Sequence, residues 1–136
     1  MIGFTSQQAA LFSDLSLRQL NYFDSTHLLS PSVQPAGGRG TRRLYSFRDV
    51  VSLRIIAKLR NQGISIQTIR RALTCLHAIS QEELSAVVIT VTGEDVALVE
   101  PDQLAVSLLK QPGQLCFLMD IGGVTHEVER AMRHVG

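Results

Sequence analysis

Cysteine is scarce in this 136-residue chain. Cys75 and Cys116 lie far apart and form no CxxC or CxxH spacing, so they are expected to be small buried hydrophobes in a reducing compartment, not a structural disulfide. The four histidines are equally scattered, and without a ligand spacing no metal site and no cofactor is expected. No run of about 18 apolar residues occurs, which excludes a spanning helix of that kind. The opening "MIGFTSQQAALFSDLS" has no basic segment followed by an apolar one and is not read as a secretory signal. A cytoplasmic protein without a membrane partner is the expectation.

Charge is nearly balanced over the whole chain, at +1, but not along it. Residues 1–76 hold ten Lys/Arg against three Asp/Glu, a net +7, whereas residues 77–136 hold three against nine, a net −6. A basic half reads as a polyanion-binding surface, and such asymmetry points toward nucleic acid. The competing reading is that the two halves simply attract each other.

Local patterns divide the chain at about the same place. Thr5 and Ser16 stand as N-caps before short helical stretches, "SQQAAL" and "LRQLNYFD", with a tight break at Phe12–Leu15, and two short helices joined by such a turn make a helix-turn-helix. Leu17, Leu20 and Phe23 or Asp24 follow the spacing of one helical turn. The segment 32–43, "SVQPAGGRGTRR", is too rich in Gly, Pro and Arg for a helix or central strand. Its flanks suit a small hairpin with arginines on the tip, and a disordered loop is the alternative. From Tyr45 the pattern turns helical again: Ser46 caps, Val50 or Val51, Leu53, Ile56 and Leu59 mark an apolar face, and Gly63 ends the helix. Ser65 then caps a fourth helix with Ile66, Ile69, Leu73 and Leu76 on one face.

Beyond Leu84 the pattern shifts to strands. "AVVITV", the turn "TGED" and "VALVE" read as a hairpin, Pro101 to about Leu109 as a helix, "LCFLMD" as a third strand and the segment after "IGGV" as a final amphipathic helix. The order β-β-α-β-α over about 50 residues predicts a small α+β module. Asp120 before Gly122 and Gly123, at a strand end, is the kind of place where α/β sheets bind ligands. A turn is the weightier reading, since no nucleophile or histidine is placed beside it and the glycines lack the GxGxxG pattern. Enzymatic activity is not expected.

Four features in order then carry a resemblance: "LSLRQLNYFD", the following "LLSP", "RRLYS" and "LRIIAKLRNQGISIQTIRRAL". Residues 4–76 resemble the DNA-binding domain of the MerR family of transcriptional regulators. The implied fold is a mainly α winged helix-turn-helix domain over residues 1–76, followed by the small acidic α+β module at 77–136. Double-stranded DNA is the implied partner, and association with the nucleoid follows. The family typically has arginine where this chain has Asn21 and tyrosine where it has Phe23. Its wing pattern is matched at Arg43 and Tyr45, with Arg42 in place of an aromatic.

The chemistry suits those residue types. A helix enters the major groove with its N-terminal side chains at base edges while flanking groups hold phosphates. Ser16, Leu17 and Arg18 stand at that end, Arg18 for a guanine edge or a phosphate, and Tyr22 offers a neutral phosphate donor. Arg39, Arg42, Arg43 and Tyr45 form the expected wing contacts. Arg54, Lys58, Arg60, Arg70 and Arg71 are read mainly as a solvated face adding unspecific, salt-dependent affinity. No uninterrupted heptad pattern follows Leu76, so a homodimer or cooperative homo-oligomer is expected to form through residues 77–136. The alternative function is an antitoxin-type autorepressor whose acidic module binds a protein partner.

Overall fold

Three helices start in the same way. At Thr5, Ser16 and Ser46 a hydroxyl in extended backbone accepts the N–H three residues on, and the residue at that third position reaches back. Gln8 Oε1 accepts the Thr5 N–H at 2.9 Å, Gln19 Oε1 the Ser16 N–H at 2.8 Å and Asp49 Oδ2 the Ser46 N–H at 2.9 Å. Each box satisfies two N–H groups that a helix start leaves without partners. The helices that follow are α1 (Ser6–Ser13), α2 (Leu17–Ser25) and α3 (Phe47–Asn61). A fourth, α4 (Ile66–His77), starts at Ser65, whose hydroxyl accepts the Thr68 N–H at 3.3 Å. The computed structural model describes residues 3–35, 42–84, 86–104 and 117–135. The backbone packs as two compact units, residues 1–62 with 127–136 and residues 63–126.

In the first unit α3 is the central element. Val50, Val51, Leu53, Ile55, Ile56 and Leu59 are all buried, so its apolar surface is wider than the single face predicted and extends nearly all round, as in an interior helix. Two short strands, β1 (Phe4–Thr5) and β2 (Leu44–Tyr45), pair antiparallel, and Gln34 bridges Leu44 from the other side. The Leu44 N–H donates to Gln34 O at 2.9 Å and the Gln34 N–H to Leu44 O at 3.0 Å. These bonds close the base of the segment predicted as a hairpin, whose tip at 36–41, including Arg39, lies outside the described residues. Asp49 reinforces the base, because the carboxylate that caps α3 also accepts the Ser32 N–H at 2.8 Å and hydroxyl at 2.6 Å.

The break after α1 is shorter than expected. Ser13 stays helical because its hydroxyl donates to Ala9 O at 2.6 Å, the bond-back available to serine inside a helix. The reversal falls instead on Asp14, whose φ of 63° lies in the left-handed region that aspartate tolerates better than most residues.

The second unit joins α4 to a three-stranded antiparallel sheet of order β4-β3-β5, where β3 is Val88–Thr92, β4 Asp95–Val99 and β5 Phe117–Asp120. Thr92 pairs with Asp95, leaving the two-residue connection Gly93–Glu94. Gly93 at φ 63° supplies the left-handed first position of a II′ hairpin turn. Ile89, Val91 and Met119 are buried on one face of the sheet. A four-residue helix, α5 (Gln81–Leu84), precedes β3 and was not anticipated; the Ser80 hydroxyl accepts the Glu83 N–H at 3.2 Å to start it. The expected helix from Pro101 is seen as a 3₁₀ turn at Pro101–Gln103, and its remainder, with Cys116, lies outside the described residues. The C-terminal part therefore has strands and a helix, without a complete β-β-α-β-α order among the described residues. The last helix, α6 (Ile121–Val135), begins directly after β5. Asp120 Oδ1 accepts the Gly122 N–H at 3.1 Å, so the Asp-Ile-Gly-Gly run starts a helix.

Candidate nucleic-acid interface

Helix α2 has two contrasting faces. Leu20 and Phe23 are almost wholly buried and fix its back to the first unit's core, and Leu28 and Leu29 return the chain into that core after the helix ends. On the front, Leu17, Arg18, Asn21, Tyr22 and Ser25 are all exposed, a stripe at i, i+1, i+4, i+5 and i+8. Tyr22 is 57 % exposed although its chain neighbour Phe23 is 0 % exposed. Of the residues expected at base edges, Ser16 holds the helix start through its hydroxyl and Leu17 and Arg18 project from the first turn, with Tyr22, expected on a phosphate, exposed on the second. Leu17, one helical turn before the buried Leu20, stands 44 % exposed. Among the described residues the Arg18 side chain makes no ion pair.

The wing residues divide. Arg42 is exposed. Arg43 is held: it donates from Nη1 to Asn21 Oδ1, and its Nε lies 3.1 Å from Asp24 Oδ2, an ion pair by distance without a directed hydrogen bond. Its side chain is 29 % exposed. Tyr45, expected on the wing surface, is 0 % exposed because β2 lies against α1 and α3. Burial raises its phenol pKa above the ordinary 10.0, against the opposing pull of the Arg43 charge. Tyr45 is therefore part of the core, and the outward donors are Arg42 beside the wing and Arg18 and Tyr22 on α2.

The cations on α3 also differ from a solvated face. Arg54 donates from Nη1 to Phe12 O at 2.9 Å, covering a carbonyl that the end of α1 leaves without a partner. Its Nε lies 3.2 Å from Glu127 Oε2, and Lys58 Nζ lies 3.0 Å from the same oxygen. For Glu127, partial burial pushes the carboxyl pKa up, but hydrogen bonds and charge from Lys58 and Arg54 outweigh it and hold the pKa below the ordinary 4.5. Arg60 is exposed and places its guanidinium 5.5 Å from the centre of the Phe23 ring, within cation–π range. On α4, Arg71 donates to Glu94 O at 2.9 Å. None of these long-range partners has a signal in local spacing; a carboxylate such as Glu127, 73 residues from Arg54, is found by folding alone.

A helix anchored by its back, a second helix packed behind it through a short turn, and a small antiparallel sheet lying against α1 and α3, with Arg43 at its edge reaching α2, define a helix-turn-helix protein. Residues 4–75, just over half the chain, match the family described as MerR HTH family regulatory protein. The chain belongs to this family. It is 32 % identical over 128 residues to an uncharacterized HTH-type transcriptional regulator of Mycobacterium tuberculosis and to one of Mycobacterium bovis, covering 94 % of this chain and 56 % of each relative. It is also 38 % identical over 61 residues to the HTH-type transcriptional regulator GlnR of Bacillus cereus, 45 % of this chain and 44 % of that protein. The chain spans about half the length of the curated relatives it matches. No helix among the described residues is long and apolar enough to cross a membrane.

Proposed function

We propose that the chain is a sequence-specific DNA-binding transcriptional regulator that reads the major groove with α2. The observation that carries this reading is the exposed stripe of Leu17, Arg18, Asn21, Tyr22 and Ser25 on a helix whose opposite face is buried. Arg18 meets a base edge or phosphate, Tyr22 donates to the backbone, Leu17 contributes apolar contact with a thymine methyl, and Ser16 sets the helix start. Arg42 supplies phosphate affinity, together with Arg39. Arg43 and Tyr45 support the wing from within, Arg43 through α2 and Tyr45 through the core. The names of the relatives, HTH-type transcriptional regulators, agree with this reading.

The division of labour falls at about residue 76, with the basic segment on DNA and residues 77–136 assembling the protein into a homodimer or cooperative oligomer. The net −6 of that second segment also favours a protein partner of opposite charge, as in an antitoxin-type autorepressor. Binding-site selection from a random duplex pool tests the main reading. A repeated half-site is expected, palindromic for a symmetric dimer and direct for a head-to-tail array. Its affinity falls steeply with salt. A pool that stays random after repeated rounds at low salt would sink the reading.

A further inference from the structure

Asn21 lies in the middle of the exposed stripe, between Arg18 one turn earlier and Ser25 one turn later. Its side-chain oxygen accepts from Arg43 Nη1. A guanidinium carries donors and no acceptor, so the amide atom it meets is the oxygen and the amide NH2 is the group turned away from it. Arg43 is itself placed by Asp24, one turn further along the same helix at 3.1 Å from Nε, and by β2, which follows it directly. The wing base thus fixes the orientation of an amide on the reading face.

We infer that Asn21 is a base-reading residue that presents donors only, with Arg43 as the residue that positions it. This inference rests on the proposed DNA-reading role of α2. The usual asparagine contact in the major groove takes adenine, the oxygen accepting from N6 while the NH2 donates to N7. That contact needs the oxygen that the Arg43 guanidinium already holds, whose positive charge disfavours a second donor there, so adenine is left with N7 as the one acceptor for the NH2. Guanine offers two acceptors, O6 and N7, to the same group, and cytosine offers only its N4 donor. Guanine is therefore the preferred base opposite Asn21, adenine and thymine, with one acceptor each, follow, and cytosine is disfavoured.

Binding-site selection followed by affinity measurements tests this in four proteins: wild type, Asn21→Asp, Arg43→Met and Arg43→Ala, with melting curves to establish that each is folded. Asn21→Asp keeps an acceptor for Arg43 and turns a second acceptor toward the groove. It is expected to lose about tenfold on the guanine site and to move the preference at that one position to cytosine. Either Arg43 variant frees the Asn21 oxygen, and the preference at the same position is expected to broaden to adenine while the other positions stay unchanged. A role in packing alone would lower affinity evenly at every position. The inference is overturned if the base preference at every position is the same in Asn21→Asp as in wild type, or if wild type selects adenine opposite Asn21. A wild-type protein that enriches no site removes the DNA-reading role itself, an outcome distinct from a selected site that ignores Asn21.

Discussion

Helix α2 carries one arginine and α3 carries Arg48, Arg54, Lys58 and Arg60, and the two helices use their cations in opposite ways. On α2, Arg18 projects from an exposed stripe and makes no ion pair among the described residues. On α3, Arg54 and Lys58 share the Glu127 carboxylate, and Arg54 also holds the end of α1 through Phe12 O. The net +7 of residues 1–76 therefore overstates the charge available to a polyanion. What distinguishes a binding cation from a structural one is whether folding brings an acceptor to it. Arg43 sits between the two cases, next to the exposed stripe of α2 but committed to Asn21 and Asp24.

The strongest way to break this comparison is to truncate one arginine from each helix. Arg18→Ala is expected to cost about 1–3 kcal/mol of DNA binding, roughly tenfold to a hundredfold, with the melting temperature unchanged, as read by a binding titration beside a thermal melt. Arg54→Ala is expected to do the reverse. It leaves Phe12 O without its partner and Glu127 with Lys58 alone, lowering stability by about 1–2 kcal/mol in a denaturant titration, while the folded variant retains its affinity within about threefold.

A smaller effect separates the helix start from the helix face. Ser16→Ala removes the hydroxyl that accepts the Gln19 N–H at 3.1 Å. The expected loss is about 1 kcal/mol of stability, with a modest loss of affinity because the first turn carrying Leu17 and Arg18 frays. Ser16→Gly, which loses only a few tenths of a kcal/mol at such a position, should restore most of the stability. A Ser16→Ala protein as stable as wild type would mean that the capping box does not set α2.

The smallest effect is one of pH. The folded Glu127 pKa lies below its ordinary 4.5, so its stabilising contribution is fully present above about that pH and is lost as pH falls through the folded value. Because the pair is partly exposed, that contribution is under about 1 kcal/mol. Glu127→Gln should flatten the acid limb of the stability curve by that amount and leave stability near pH 7 lower by a similar one. A curve identical to wild type between about pH 3 and 5 would remove Glu127 from the account.

The same contrast explains how much was legible beforehand. Thr5, Ser16, Ser46 and Ser65 could be read as helix starts because a cap and its partner lie within three residues. Leu20 and Phe23, one turn apart in the sequence, are both buried, and that spacing is again a local property. Arg43 was expected on phosphates because arginines cluster beside a Gly-rich segment, but the acceptors that hold it, Asn21 and Asp24, come from a helix about 20 residues earlier. Tyr45 matched a family pattern whose spacing says nothing of which way a strand residue faces, and pairing of β2 with β1 turned it inward. The second role of Asp49, pinning Ser32 across 17 residues, had no local sign either. Capping and periodicity are written within one or two turns of chain, whereas the sorting of cations into binding and structural ones is decided by long-range partners.

The most direct measurement is a paired DNA titration of Arg18→Ala and Arg54→Ala on the selected site, each with its thermal melt. The account predicts that Arg18→Ala loses at least tenfold in affinity at an unchanged melting temperature, while Arg54→Ala melts earlier and binds nearly as wild type below its transition. Full affinity in Arg18→Ala, with loss of affinity in an Arg54→Ala protein of wild-type stability, would contradict it.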